Sequence, residues 1–167
     1  MSGTGPGKSL KRLLIVGDTP QFGRTISLIL DDLQQRSWAI RHTTWDGFRG
    51  LLSPRLLRET DLFVLDLWRS YPTGLRAEGV AVAEQLNRNH AKSLIVSPLS
   101  LDAGENILGY WDMASPMPLV ERCELLMKEG GRRPTAVPDF LKASLSRFLA
   151  APAGHEDVPN SARDCGM

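Results

Sequence analysis

The chain has 167 residues, with 20 basic and 19 acidic side chains and a formal net charge of +1. Apolar residues make up 42% and charged residues 23%, a composition that closes one hydrophobic core without metal or disulfide staples. The charge balance excludes the broad basic face that drives nucleic-acid binding; two cysteines, Cys123 and Cys165, exclude a disulfide framework and a four-thiolate zinc site; and no apolar run reaches the ~20 residues of a membrane span, so a cytoplasmic protein is expected.

Residues 1–9 (MSGTGPGKS) read as a flexible, Gly-rich leader. Within them SGTGPGKS comes close to the phosphate loop GxxxxGK[ST], but Ser2 stands where the first glycine belongs. A phosphate loop also needs a strand before it and a helix after it, so that backbone amides converge on the phosphate. Here a strand follows, and the leader reading prevails. Leu13–Val16 is a short apolar run that suits a buried parallel strand, closed by Gly17-Asp18-Thr19-Pro20. In FGRTISLILDDLQQR, Phe22, Ile26, Ile29, Leu30 and Leu33 recur at helical spacing, with Asp18 or Thr19 as cap and Pro20 at the first position.

Ser37–Thr44 alternates as a second strand, and Phe48–Arg58 reads as a short helix interrupted at Pro54. Asp61–Leu67 (DLFVLDL) is an apolar strand with a carboxylate near its end, and Gly79–Asn89 is helical. Lys92–Ser97 is a fourth strand, Tyr110–Met113 a fifth, Leu119–Lys128 a helix, and Phe140–Leu149 a further amphipathic helix. The tail from 150 to 167 is polar and holds Pro152 and Pro159, the composition of a disordered segment. The alternation predicts an α/β fold: a doubly wound, five-stranded parallel sheet of flavodoxin-like kind with helices on both faces. Such a sheet gathers its strand carboxyl ends on one edge, which places Asp18, Asp66 and Ser97 near one another. Asp18 with Asp66 is a donor set for one hard cation such as Mg²⁺. The competing reading is that a strand-end aspartate caps the next helix.

The order of these pieces resembles the receiver domain of two-component response regulators over roughly residues 10–128, in an atypical, degenerate form. KRLLIVGDTPQFGRTISLIL resembles the first strand, acidic turn and first helix. DLFVLDL resembles the phosphoacceptor strand, EGVAVAEQLNRN the third helix with its leading Gly79, KSLIVSPLS the fourth strand, and YWDMASPMP the fifth strand with the Lys-Pro junction. The resemblance implies Asp66 as phosphoacceptor, Ser97 as the hydroxyl that senses the phosphoryl group, and Asp18 with Asp66 as a weak Mg²⁺ site. Three departures stand out. Gly17-Asp18 keeps only the second of the two acids after the first strand, and Ser115 stands where the lysine belongs. The loop after Asp66 is longer than receivers carry, while the segment between Ser97 and Tyr110 is too short for a full fourth helix. Losing the lysine removes a cation that stabilises developing phosphoryl charge; Arg69 or Arg76 of the longer loop are the groups that could replace it.

The remaining residues carry less. His42, His90 and His155 show no ligand spacing, and Cys123 suits helix packing better than nucleophilic chemistry. Trp68 and Trp111 are expected near the rebuilt face, either exposed as a protein-interaction surface or filling the space of the shortened helix. The 129–149 stretch is a linker and extra helix whose apolar face calls for a cover, from the domain itself or from a second copy in a homodimer. The function expected is that of a stand-alone receiver-like signalling protein, not an enzyme. It would act by protein–protein contact without need of phosphorylation, and would require no cofactor. Two alternatives stay open. One is a phosphorylatable single-domain regulator, with a histidine kinase as partner and Asp66 as acceptor. The other is a nucleotide-binding or enzymatic α/β domain, which the lack of a Gly-rich turn and of a nucleophile–base pair disfavours.

Overall fold

The computed structural model describes residues 10–18, 20–97, 109–112, 114–128 and 137. The leader, Thr19, the shortened fourth helix expected between Ser97 and Tyr110, the extra helix of 140–149 and the tail lie outside the described residues.

The first strand, β1 (Lys11–Val16), is followed by α1 (Pro20–Ile29), which starts at the expected proline. The single helix expected over residues 22–36 is two, because the chain leaves helical geometry at Leu30 (φ −93°, ψ 8°) before α2 (Asp31–Gln35). The break keeps Ile26, Leu30 and Leu33 all buried on one cluster, so the apolar stripe survives the kink. After β2 (Trp38–Thr43) come α3 (Trp45–Leu51) and α4 (Pro54–Glu59), where one interrupted helix was expected. Each has its own cap: the Thr44 hydroxyl accepts from the Gly47 N–H at 3.1 Å, and the Ser53 hydroxyl from the Leu56 N–H at 3.2 Å. The chain continues through β3 (Leu62–Asp66), β4 (Arg69–Tyr71), β5 (Gly74–Arg76), α5 (Glu78–Arg88), β6 (Ser93–Ser97), β7 (Tyr110–Asp112) and α6 (Leu119–Lys128).

Five strands form one parallel sheet in the order β2-β1-β3-β6-β7. This is the doubly wound, flavodoxin-like arrangement. Alternation along each strand supplies two cores. Val16, Phe63, Leu65, Ile95 and Tyr110 pack with Trp45 and Phe48 of α3 and with Ala83 and Leu86 of α5. Leu13, Ile15, Val64, Leu94 and Val96 pack with Ile26 of α1, Leu33 of α2, and Leu119, Cys123 and Leu126 of α6. Each fully buried Leu, Ile or Phe contributes about 2 kcal/mol of transfer free energy, so helices on both faces hold the sheet. Val137 is buried in the first core, on the sheet face opposite α6.

The long loop after Asp66 is the two-stranded antiparallel hairpin β4–β5, a sheet of its own. From the sequence this stretch is expected as a loop. Its two-residue connection closes through Gly74 at φ +125°, a conformation that side chains rarely adopt. Gly79 seats α5 against the end of β3: a Cβ there would stand 2.4 Å from the Asp66 carbonyl oxygen. Among the described residues, no helix is long and apolar enough to cross a membrane.

Candidate functional site

The sheet order turns at β1, with β2 on one side and β3 on the other. Crossovers leave that point in opposite directions and open a crevice at the carboxyl ends of β1 and β3, where doubly wound folds bind ligands. Asp18 follows β1 and Asp66 ends β3, so the two carboxylates read from the sequence do meet at this crevice.

Asp66 is 8% exposed, and its Oδ1 accepts the Trp68 backbone N–H at 3.1 Å. Burial pushes its pKa from 3.8 up to about 6; the Trp68 N–H holds it down, and the charge of Asp18 adds a smaller upward push. Among the described residues no ion pair reaches Asp66. Asp18 Oδ2 accepts the Ser70 N–H at 2.7 Å. Both carboxylates thus fasten the root of the hairpin, Asp66 at the residue before its first strand and Asp18 within it. No cluster of three or more His, Cys, Asp or Glu side chains suited to a metal occurs among the described residues. Two carboxylates that each give one oxygen to a backbone N–H fit a weakly held hard cation at most.

Ser97 and Ser115 belong to a second cluster, built on a residue the sequence reading passed over. Asp112 ends β7, is 4% exposed, and pairs in register with Ser97. The Tyr110 hydroxyl donates to Asp112 Oδ2 at 3.2 Å and also hydrogen-bonds the Ser97 side chain. Burial, reinforced by the Asp112 charge, drives the Tyr110 phenol well above its ordinary pKa. Ser115 Oγ donates to Asp112 Oδ1 at 3.3 Å and accepts the Asp112 N–H at 3.1 Å, while the Ala114 N–H donates to the same Oδ1 at 2.9 Å. Ser115 therefore closes a turn upon Asp112. The signal in the sequence was the Tyr-x-Asp alternation with a serine three residues on.

The arginines considered as replacements for the lysine are engaged on the hairpin. Arg69, 7% exposed, pairs through Nη2 with Asp46, and its Nη1 lies 3.6 Å from Glu78 Oε1. Arg49 donates to the same Glu78 oxygen at 2.8 Å, and the Tyr71 hydroxyl donates to Oε2 at 3.2 Å. The guanidinium groups of Arg69 and Arg76 lie 4.8 and 4.7 Å from the Tyr71 ring centroid.

Trp68 and Trp111 correct the sequence reading of an exposed aromatic surface. They are 7% and 6% exposed, one in each core. Trp111 also donates its Nε1–H to the Met117 carbonyl at 2.9 Å. Cys123 is fully buried, and burial pushes its thiol up to about 12, the behaviour of a packing residue. His42 packs its ring over Gly23, and burial lowers its pKa. A depression of about 660 Å³ lies beside β2 and α4 among Arg12, Arg41, Arg55 and Glu59 and holds none of the strand-end carboxylates. Compared with protein-family models and with curated proteins, the chain matches none.

Proposed function

We propose that this chain is an atypical receiver-like signalling domain that works through protein contact and does not depend on phosphoryl transfer. The observation that carries this reading is the state of Asp66: buried, with no cation among the described residues, and bonded to the hairpin root. A phosphoryl group there would add about two negative charges beside Asp18 with no lysine to offset them. Ser115 turns to Asp112, and Arg69 is committed to Asp46 and Glu78. The crevice binds its own hairpin where a receiver would bind metal and phosphate. Mg²⁺, held by Asp18 and Asp66, would supply charge neutralisation and is not required for contact with a partner.

The test is intact-mass measurement after incubation with Mg²⁺ and a small-molecule phosphodonor, with Asp66→Asn as control and an ordinary receiver alongside. No adduct under conditions that modify the ordinary receiver is the expected result. An adduct on the wild type and none on the variant overturns the reading and makes Asp66 an acceptor for a histidine kinase.

A further inference from the structure

We infer that the outer edge of β5 is the docking edge for an extended, acidic segment of a partner protein, which adds to the hairpin as a third strand. This rests on the protein-contact reading and gives it a place and a partner chemistry.

In an antiparallel pair, residues opposite each other alternate between exchanging backbone bonds and turning them outward. Ser70 points its N–H away from β5, to Asp18. Its register partner is Leu75, so Leu75 turns its own N–H and C=O to the other outer side, where no strand lies among the described residues. All three residues of β5 are exposed, and Leu75 is 51% exposed, one of three large apolar side chains so placed among the described residues. An open edge with an apolar residue at its centre is a template for strand addition.

Charge selects the partner. Arg76 has no carboxylate partner among the described residues and lies over Tyr71. Arg49, 63% exposed at its side chain, stands on the same network. Asp46 and Glu78 engage Arg69 and Arg49, and Asp18 sits at the opposite edge on Ser70, so Arg76 is the cation left over on the hairpin. An added strand with a carboxylate near Arg76 pairs with that guanidinium, while an apolar side chain beside it covers Leu75. The edge is also preorganised. Asp18 holds β4 by its backbone, Asp66 holds the residue before it, and Asp46 and Glu78 hold it by Arg69, so little ordering is left for binding to supply.

The experiment is selection of random linear peptides displayed on phage against the full chain, followed by titration of the selected peptides with ¹⁵N-labelled protein. Expected are peptides that alternate Asp or Glu with Val, Ile or Leu, with amide shifts centred on residues 69–77. Leu75→Pro removes the outward N–H without touching the bonds between β4 and β5, and proline is tolerated at such an edge; Arg76→Glu reverses the charge. Each variant should weaken the selected peptides at least tenfold while keeping the wild-type fold by amide spectrum. Peptides that perturb another surface, peptides that bind Leu75→Pro unchanged, or selection that yields no peptide overturn the edge assignment. The phosphodonor measurement on Asp66 reads separately whether the underlying functional reading stands.

Discussion

Asp18 accepts the backbone N–H of Ser70 at 2.7 Å, across 52 positions of chain. The bond ties the turn after β1 to the first strand of the hairpin. Together with the Asp66–Trp68 bond it converts an acid pair at a ligand-binding crevice into a clasp on the protein's own insertion. A charged acceptor makes each such bond worth roughly 1.5–3 kcal/mol against about 1 for a neutral one.

Removing that acceptor should loosen the hairpin before it loosens the sheet. Asp18→Ala is expected to cost about 1–2 kcal/mol in urea unfolding and to speed amide exchange at Ser70 well beyond that at Val64. Asp18→Asn keeps a carbonyl oxygen for Ser70 and should lie between Ala and the wild type. Equal exchange at Ser70 in all three proteins would show that the clasp holds nothing.

Asp66 should act in the opposite sense. Its pKa is about 6 in the fold against 3.8 as the ordinary value, so the folded chain holds the proton more tightly than the unfolded chain. The ionised carboxylate is then a penalty. It is full above the folded pKa, fades as pH falls from about 6 towards about 4, and is absent below. Two units correspond to roughly 3 kcal/mol. Asp66→Asn, neutral at every pH, is therefore expected to stabilise the protein by about 2–3 kcal/mol near pH 8 and by close to nothing near pH 4. Paired urea titrations at the two pH values check this. A variant less stable than the wild type near pH 8 would mean that a cation compensates Asp66 in solution.

Gly79 is a steric requirement of the same crevice. A methyl group there meets the Asp66 carbonyl at 2.4 Å and the Leu67 Cα at 2.9 Å, both rigid backbone atoms. Gly79→Ala gains helix propensity of somewhat under 1 kcal/mol but must push α5 off the sheet. A net loss of about 2 kcal/mol or more is expected, read as a fall in melting temperature. A neutral or stabilising effect would show that α5 shifts at little cost.

The sequence made the sheet legible because its evidence is local. Leu13–Val16, Asp61–Leu67 and Lys92–Ser97 are apolar on both faces, and burial of both faces between helix layers is what writes such runs. The Asp18–Asp66 crevice followed from topology alone. The hairpin was not legible, since Arg69–Tyr71 and Gly74–Arg76 are three residues each and owe their form to acids outside them: Asp18, Asp46 and Glu78. Whether Trp68 and Trp111 are exposed or fill space stays open in the sequence for a related reason. Short strands next to loops give too little alternation to fix which way one ring faces.

Glu78 receives Arg49, Tyr71 and, at 3.6 Å, Arg69, and its side chain is only 17% exposed. Among the described residues Asp46 pairs with Arg69 alone, and its side chain is 86% exposed. Removing Glu78 strands two guanidinium groups and a phenol, and leaves Arg69, with its Nη1 already short of a hydrogen bond, beside two other cations. Removing Asp46 strands one guanidinium edge beside open solvent, which can rehydrate it. Breaking a buried pair costs about 3–5 kcal/mol and an exposed one under about 1. Glu78→Ala is therefore expected to lose about 2–4 kcal/mol and to disorder the hairpin, seen as faster exchange from Arg69 to Arg76. Asp46→Ala should lose less than half as much, and Glu78→Gln, which still accepts from Tyr71, should fall between. If Asp46→Ala proves the costlier change, the hairpin is anchored from α3, and Glu78 serves mainly the N-terminus of α5.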